Sequence, residues 1–187
     1  MKKPVSLSIS SHCYTITMHT NHGLPLLRNH KYFNLMFDCL TIISKKYKLN
    51  LLGYVFLPNG IKIVTCGLPQ TRLTNFVETL KNLSRQELIR FLEEDGKKDL
   101  LNQIKMGSNA RKHKVWATNF ESTHLKSYND LEQSLNELHV LPLRNGLVFN
   151  PESYKYSSSS YYKKGKHGGL RITDYRQVFN KPEMAVS

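Results

Sequence analysis

The stretch NLLGYVFLPNGIKIVTCG, residues 50 to 67, constrains the fold more than any other part of the chain. Two apolar runs rich in β-branched and aromatic residues, NLLGYVFL and IKIVTCG, flank the tripeptide Pro58-Asn59-Gly60. That connection is short enough to join them as an antiparallel hairpin, and Asn-Gly readily supplies the positive φ angles of a type I′ turn. Lys62 falls two residues after the turn, in a run that otherwise reads as buried.

The remaining elements build around this hairpin. HCYTITMHT (12–20) reads as a first strand. HKYFNLMFDCLTIISKKYK spaces Phe33, Met36, Phe37, Leu40 and Ile43 on one stripe, and Lys45, Lys46 and Lys48 suit the negative end of that helix. TRLTNFVETLKNLSRQELIRFLEEDG is a long helix with Leu73, Phe76, Val77, Leu80, Leu83 and Leu88 inward and Gly96 at its end. KKDLLNQIKM is a shorter helix, followed by GSNARKHKVW, a polar and basic loop or strand. YNDLEQSLNELH is another helix, with Asn129 or Asp130 as its N-cap. There is no internal repeat. The order β-α-β-β-α implies one α+β domain over residues 1–187, an antiparallel sheet with helices packed on one face. Its core spans about residues 11–162, and a basic, Tyr-, Ser- and Gly-rich C-terminal extension runs from about 150 to 187.

Charge narrows the function. Lys plus Arg number 27 against 14 Asp plus Glu, a net charge of +13. Residues 1 to 77 hold nine basic residues and one acid, Asp38, whereas 78 to 100 are nearly balanced. Clustered positive charge concentrates polyanions, of which nucleic acid is the commonest. The three cysteines, Cys13, Cys39 and Cys66, show no C-x-x-C spacing and lie in apolar runs. They are expected to be reduced core residues, neither disulfide-bonded nor zinc-bound, in a cytoplasmic protein. The start MKKPVSLSISSH lacks the apolar stretch of a signal peptide, and no run is long enough for a membrane helix.

Two segments carry a resemblance. ELHVLPLRNGLVFNPESYKYSSSSYY (137–162) resembles the signature IH-x-NP-x-x-AGLV-x-x-PE-x-Y-x-YSS-x-x-x-Y of single-tyrosine HUH transposases, in particular the branch associated with repetitive palindromes in bacterial genomes. His139, Pro142, Gly146, Leu147, Val148, Pro151, Glu152, Tyr154, Tyr156, Ser157 and Ser158 match it, while Leu141 stands where the family usually has Asn. Trp116 also fits the pattern, and LPNGIKIV aligns with a turn that in the family reads MPN or MSN, followed by His, a hydrophobic residue and His. The resemblance spans about Ser11 to Arg171. It implies a ferredoxin-like sheet, a homodimer, and cutting and rejoining of single-stranded DNA beside hairpins. A tyrosine would attack the phosphodiester while Mg²⁺ or Mn²⁺, held by the two histidines, polarises the phosphate.

This chain departs from that pattern where the chemistry lies. Residues i and i+2 of a strand share a face, so two imidazoles there can converge on one cation. Here those positions are Gly60, with no side-chain donor, and Lys62, whose ammonium has no lone pair and repels a cation. No metal cofactor is therefore expected. The nucleophile is expected on the long helix after the hairpin, yet no tyrosine occurs between Tyr54 and Tyr128. Ser84, near the expected turn, has no activating base and reads as a surface residue. His139 reads as structural, its ring hydrogen-bonded near the following turn.

A binding surface remains. Lys62 either offers a fixed positive charge to a phosphate or is an ordinary strand lysine reaching solvent. Arg72, Lys81 and Arg85 on the long helix are expected to flank the same groove. Arg111, Lys112 and Lys114 form a loop cluster, Lys163, Lys164 and Lys166 a tail cluster, and Arg28, His30 and Lys31 a third patch. Tyr161 or Tyr162 is available to stack on an unpaired base. The leading expectation is a transposase-like binder of single-stranded or hairpin DNA that no longer cuts. The alternatives are an active enzyme with a relocated nucleophile, an RNA-binding module, and a structural dimer.

Overall fold

The computed structural model describes residues 12–106, 113–165 and 169–178. Four strands, β1 (Tyr14–His19), β2 (Asn50–Leu57), β3 (Gly60–Cys66) and β4 (Glu121–His124), form one antiparallel sheet in the order β2-β3-β1-β4. The helices are α1 (His30–Tyr47), α2 (Leu73–Glu94), α3 (Lys98–Gln103), α4 (Tyr128–Arg144), α5 (Ser159–Lys164) and α6 (Tyr175–Val178). With α1 between β1 and β2, and α2 between β3 and β4, this is the ferredoxin-like order that the resemblance implied.

The hairpin forms, with a different turn. Leu57 pairs with Gly60, so Pro58 and Asn59 make the loop, and neither Asn59 nor Gly60 has positive φ. Proline fixes φ near −65° at the first loop position, which excludes the type I′ turn expected from Asn-Gly. Gly60 is needed for space instead. A Cβ there would run into the Met18 carbonyl oxygen of β1.

Alternation along the strands creates two apolar faces. Ile16, Met18, Ile61 and Ile63 pack with the α1 stripe Phe33, Met36, Phe37, Leu40 and Ile43 and with Phe76, Leu80 and Leu88 of α2. The other face carries Leu52, Val55, Val64 and Cys66, which pack against Leu131, Leu135 and Leu138 of α4. Helices on one face therefore describes α1 and α2, while α4 covers the face behind them. Leu52 reaches that second core because a bulge between Leu51 and Gly53 inserts it out of register. Gly53 admits α4 closely, since a Cβ there would strike the Leu135 side chain.

Several local expectations need correction. Ser127, one residue before the range considered, caps α4 in a capping box with Asp130, and the helix continues through Pro142 to Arg144. β4 is an added strand in which all four residues are exposed. It had no apolar alternation to announce it. On α2, Leu83 is exposed and Ser84 is buried. The Ser84 hydroxyl donates to the Leu80 carbonyl at 2.9 Å and accepts from Trp116 Nε1 at 2.9 Å. Ser84 thus anchors the core tryptophan.

The cysteine expectation is overturned for one pair. The β1–β3 register, in which Tyr14 pairs with Thr65, sets Cys13 opposite Cys66, with Cα atoms 4.1 Å apart, and the two form a disulfide. Sequence spacing cannot reveal this because the partners lie 53 residues apart. Cys39 is a free, buried core residue, as expected.

The signature block closes the outer edge of β2. Phe56 N–H donates to the Tyr156 carbonyl, and Ser158 N–H to the Tyr54 carbonyl, each at 2.9 Å. An open edge is thereby covered. The Ser158 hydroxyl also accepts from the Tyr54 N–H at 3.0 Å and lies 2.9 Å from His139 Nε2, so His139 is structural but ties α4 to this edge and not to the turn that follows it.

Candidate nucleic-acid interface

Gly60 and Lys62 share the face of β3 that carries Val64 and Cys66, so they look toward the α4 side of the sheet. Beyond the α4 contact the sheet opens into a groove of about 240 Å³. Lys62 and Thr17 form part of its floor, His19, Asn59 and Glu121 part of its rim, and Leu141 and Asn145 at the end of α4 its wall. His19 pairs with Gly60 in the register and lies 3.6 Å from Glu121, an ion pair when the imidazole is protonated. Lys62 is partly exposed, and its ammonium makes no hydrogen bond or ion pair with a described residue.

The donor set does not suit the two-histidine metal site of the resemblance. A histidine at Gly60 would drive its Cβ into the Met18 carbonyl, and Lys62 offers only N–H donors. His19 and Glu121 are the imidazole and the carboxylate that line the groove, and among the described residues no group of three or more His, Cys, Asp or Glu lies close enough to hold an ion.

The long helix α2 lies behind the sheet, in the core with Ile61 and Ile63, so Arg72, Lys81 and Arg85 do not border this groove. The groove is bordered by α4. Its one tyrosine, Tyr128, stands at the first residue and packs against Tyr175. Ser84 of α2 is buried on the far side of the sheet.

Lys81 and Arg85 instead meet Lys114 and His113 in a second cleft of about 300 Å³, beside Trp116. Lys81 is not an open cation there. It is 6% exposed and donates to the Thr118 carbonyl at 2.7 Å and to Glu78 at 3.0 Å. A buried ammonium needs such partners, because desolvation otherwise outweighs any packing gain. Lys114 donates to the Thr118 hydroxyl at 2.6 Å. Arg111 and Lys112 lie outside the described residues, as does Lys166.

The other patches are partly neutralised. Lys31 bridges Asp95 at 2.8 Å and Glu94 at 3.3 Å, which holds its ammonium above its ordinary pKa and the Asp95 carboxyl below the usual range. Arg28 is exposed and donates Nε–H to the Pro25 carbonyl. His30 hydrogen-bonds Tyr156. Arg72 sits 5.0 Å over the Tyr47 ring. Lys164 bridges Glu152 at 3.2 Å. Lys163 lines a mixed cleft of about 580 Å³ with His139, Tyr162 and Arg176.

The tail tyrosines are built into the fold. Tyr162 donates to the Leu52 carbonyl at 2.7 Å and packs its ring against Tyr175, and Tyr154 donates to the Phe56 carbonyl at 2.8 Å. Burial pushes the Tyr154 phenol up to about 12 and the Tyr162 phenol far above its ordinary value. Tyr162 is therefore not the open stacking ring expected of it. Burial, then the charge of Lys163, lowers the His139 imidazole to about 4.

With this geometry in place, a solved structure answers to the whole chain. A REP-associated tyrosine transposase, solved bound to a REP hairpin, superposes with a TM-score of 0.61 over 97% of this chain and 96% of its own, at 12% identity. The two chains share one fold. A Deinococcus radiodurans R1 protein provisionally named a transposase matches more loosely, with a TM-score of 0.48 over 74% of this chain and 98% of its own, at 18% identity. The chain matches no protein-family model and no curated protein. Among the described residues no helix is long and apolar enough to cross a membrane.

The hairpin positions Gly60 and Lys62 were readable from their register in LPNGIKIV. The rim residues His19 and Glu121 and the wall residue Asn145 were not, since β1, β4 and the end of α4 converge only through the sheet order. A β1 pairing guessed from the strand lengths could have pointed to His19 alone.

Proposed function

We propose that this chain binds folded single-stranded DNA, a hairpin with unpaired flanks, through the groove at Lys62, and does not cut it. One observation carries the reading. Lys62 presents an ammonium without a described partner on the sheet face where related chemistry would place a metal and a phosphate. A fixed positive charge there attracts phosphate as the cation would, without Lewis-acid activation. The net charge of +13 and the fold shared with a hairpin-bound transposase support the choice of DNA. Gly60, Lys62 and the lack of a tyrosine on α2 support the loss of cutting. The homodimer implied earlier belongs to this reading, as does the cytoplasmic setting, which no longer rests on reduced cysteines because Cys13 and Cys66 are bonded. β4, a sheet edge with all residues exposed, is a place where a second copy can add.

The test is hairpin binding by fluorescence anisotropy over a salt series, for wild type and Lys62→Ala, with and without Mn²⁺. Each phosphate contact contributes about one unit to the logarithmic salt slope, so Lys62→Ala should weaken binding and flatten the slope by about one. Equal slopes would remove Lys62 from the contact, and no binding at low salt would end the DNA reading. A covalent adduct on a denaturing gel in Mn²⁺ would overturn the claim that cutting is lost and favour a relocated nucleophile.

A further inference from the structure

Three of the exposed large hydrophobics among the described residues cluster at the end of α4: Leu143 at 42%, Leu147 at 38% and Phe149 at 102% exposure. The Phe149 ring is fully exposed and touches none of the described residues. Its backbone, by contrast, is held from both sides. Gly146 N–H donates to the Leu143 carbonyl and Leu147 N–H to the Pro142 carbonyl, each at 2.9 Å. On the other side the Asn150 side chain accepts from Glu152 N–H at 2.9 Å, and its carbonyl accepts from the Ser153 hydroxyl at 2.7 Å. The loop is also continuous with the groove, because Asn145, which opens it, lines the groove wall beside Leu141 and opposite Lys62.

We propose that Phe149 is a stacking platform for an unpaired nucleobase of the DNA whose backbone lies in the Lys62 groove. This rests on the DNA-binding reading and adds the residue that engages a base. Aromatic rings paired with a basic groove are how single strands are held without base-edge readout, since every base has a π-face. With the backbone on either side already anchored, only the two side-chain torsions of Phe149 remain to be fixed when a base covers the ring. Arg144, exposed at the last residue of α4, supplies positive charge beside the same loop.

The experiment compares a hairpin carrying an unpaired flank with the same hairpin made blunt, for wild type, Phe149→Ala and Phe149→Trp. Phe149→Ala should lose about tenfold affinity for the flanked hairpin, keep its affinity for the blunt one, and be rescued by Phe149→Trp. 2-Aminopurine in the flank should be quenched by wild type and not by Phe149→Ala. The ring is fully exposed and has no contact with the described residues, so Phe149→Ala should melt with wild type, which separates lost stacking from lost folding. Equal affinity of Phe149→Ala and wild type for the flanked hairpin would overturn the platform and leave the groove standing. Failure of wild type to bind either hairpin at low salt would remove both.

Discussion

Acid should weaken this fold through one imidazole. His139 projects from α4 onto Ser158 and Tyr162, and burial with the nearby Lys163 charge lowers its pKa from 6.5 to about 4. Between those values the unfolded chain binds a proton that the folded chain excludes, so falling pH favours unfolding. The contribution is fully present above about pH 6.5 and is lost by about pH 4. At about 1.4 kcal/mol for each tenfold change in proton affinity, the loss amounts to about 3 kcal/mol. The assay is urea unfolding at about pH 7, 6, 5 and 4.5, read from the fluorescence of Trp116, the only tryptophan, in wild type and His139→Gln. Glutamine keeps a partner for Ser158 and does not titrate. Carboxylates such as Asp95 and Asp130, whose pKa values are lowered, contribute equally to both proteins and cancel in the difference. Wild type should lose stability to acid more steeply than His139→Gln. Parallel pH profiles would refute the claim that a buried neutral imidazole holds the β2 edge.

Gly60→Ala should destabilise the sheet by about 1–3 kcal/mol, because the new Cβ meets the Met18 backbone and neighbouring strands must part. The measurement is the urea midpoint, and an unchanged midpoint would show that the strands yield freely. Ser84→Ala should cost about 1–3 kcal/mol, because it strands the buried Trp116 N–H without an acceptor. Its reporters are a lower urea midpoint and shifted Trp116 emission, and unaltered stability would return Ser84 to the status of a bystander.

Pattern alone located β1, the β2–β3 hairpin, α1 and α2, because burial on one face imposes the periods of two and 3.6 that those segments display. The stripe Phe33, Met36, Phe37, Leu40 and Ile43 is buried as read. The same method erred at Leu83 and Ser84, where an apolar and a polar neighbour exchange sides. Periodicity weighs hydrophobicity, and the Ser84 hydroxyl is satisfied inside by a helix carbonyl and an indole that no local pattern announces. The position of Lys62 two residues into β3 was likewise legible, since register fixes which face a strand residue takes.

What the sequence determined by itself is therefore local or global: the strands and helices, the hairpin, the excess of positive charge, and the replacement of both histidine positions by Gly60 and Lys62. Tertiary structure decided everything that depends on which segments meet. It put α4 and not α2 over the Lys62 face, joined Cys13 to Cys66, paired Lys31 and Lys81 with acids and carbonyls, and drew the tail tyrosines into the edge of β2. It also left Phe149 bare. The reason is that alternation and amphipathicity are set by neighbours within a few residues. Pairing, charge neutralisation and exposure are set by partners tens of residues away, brought together only when the sheet closes in the order β2-β3-β1-β4.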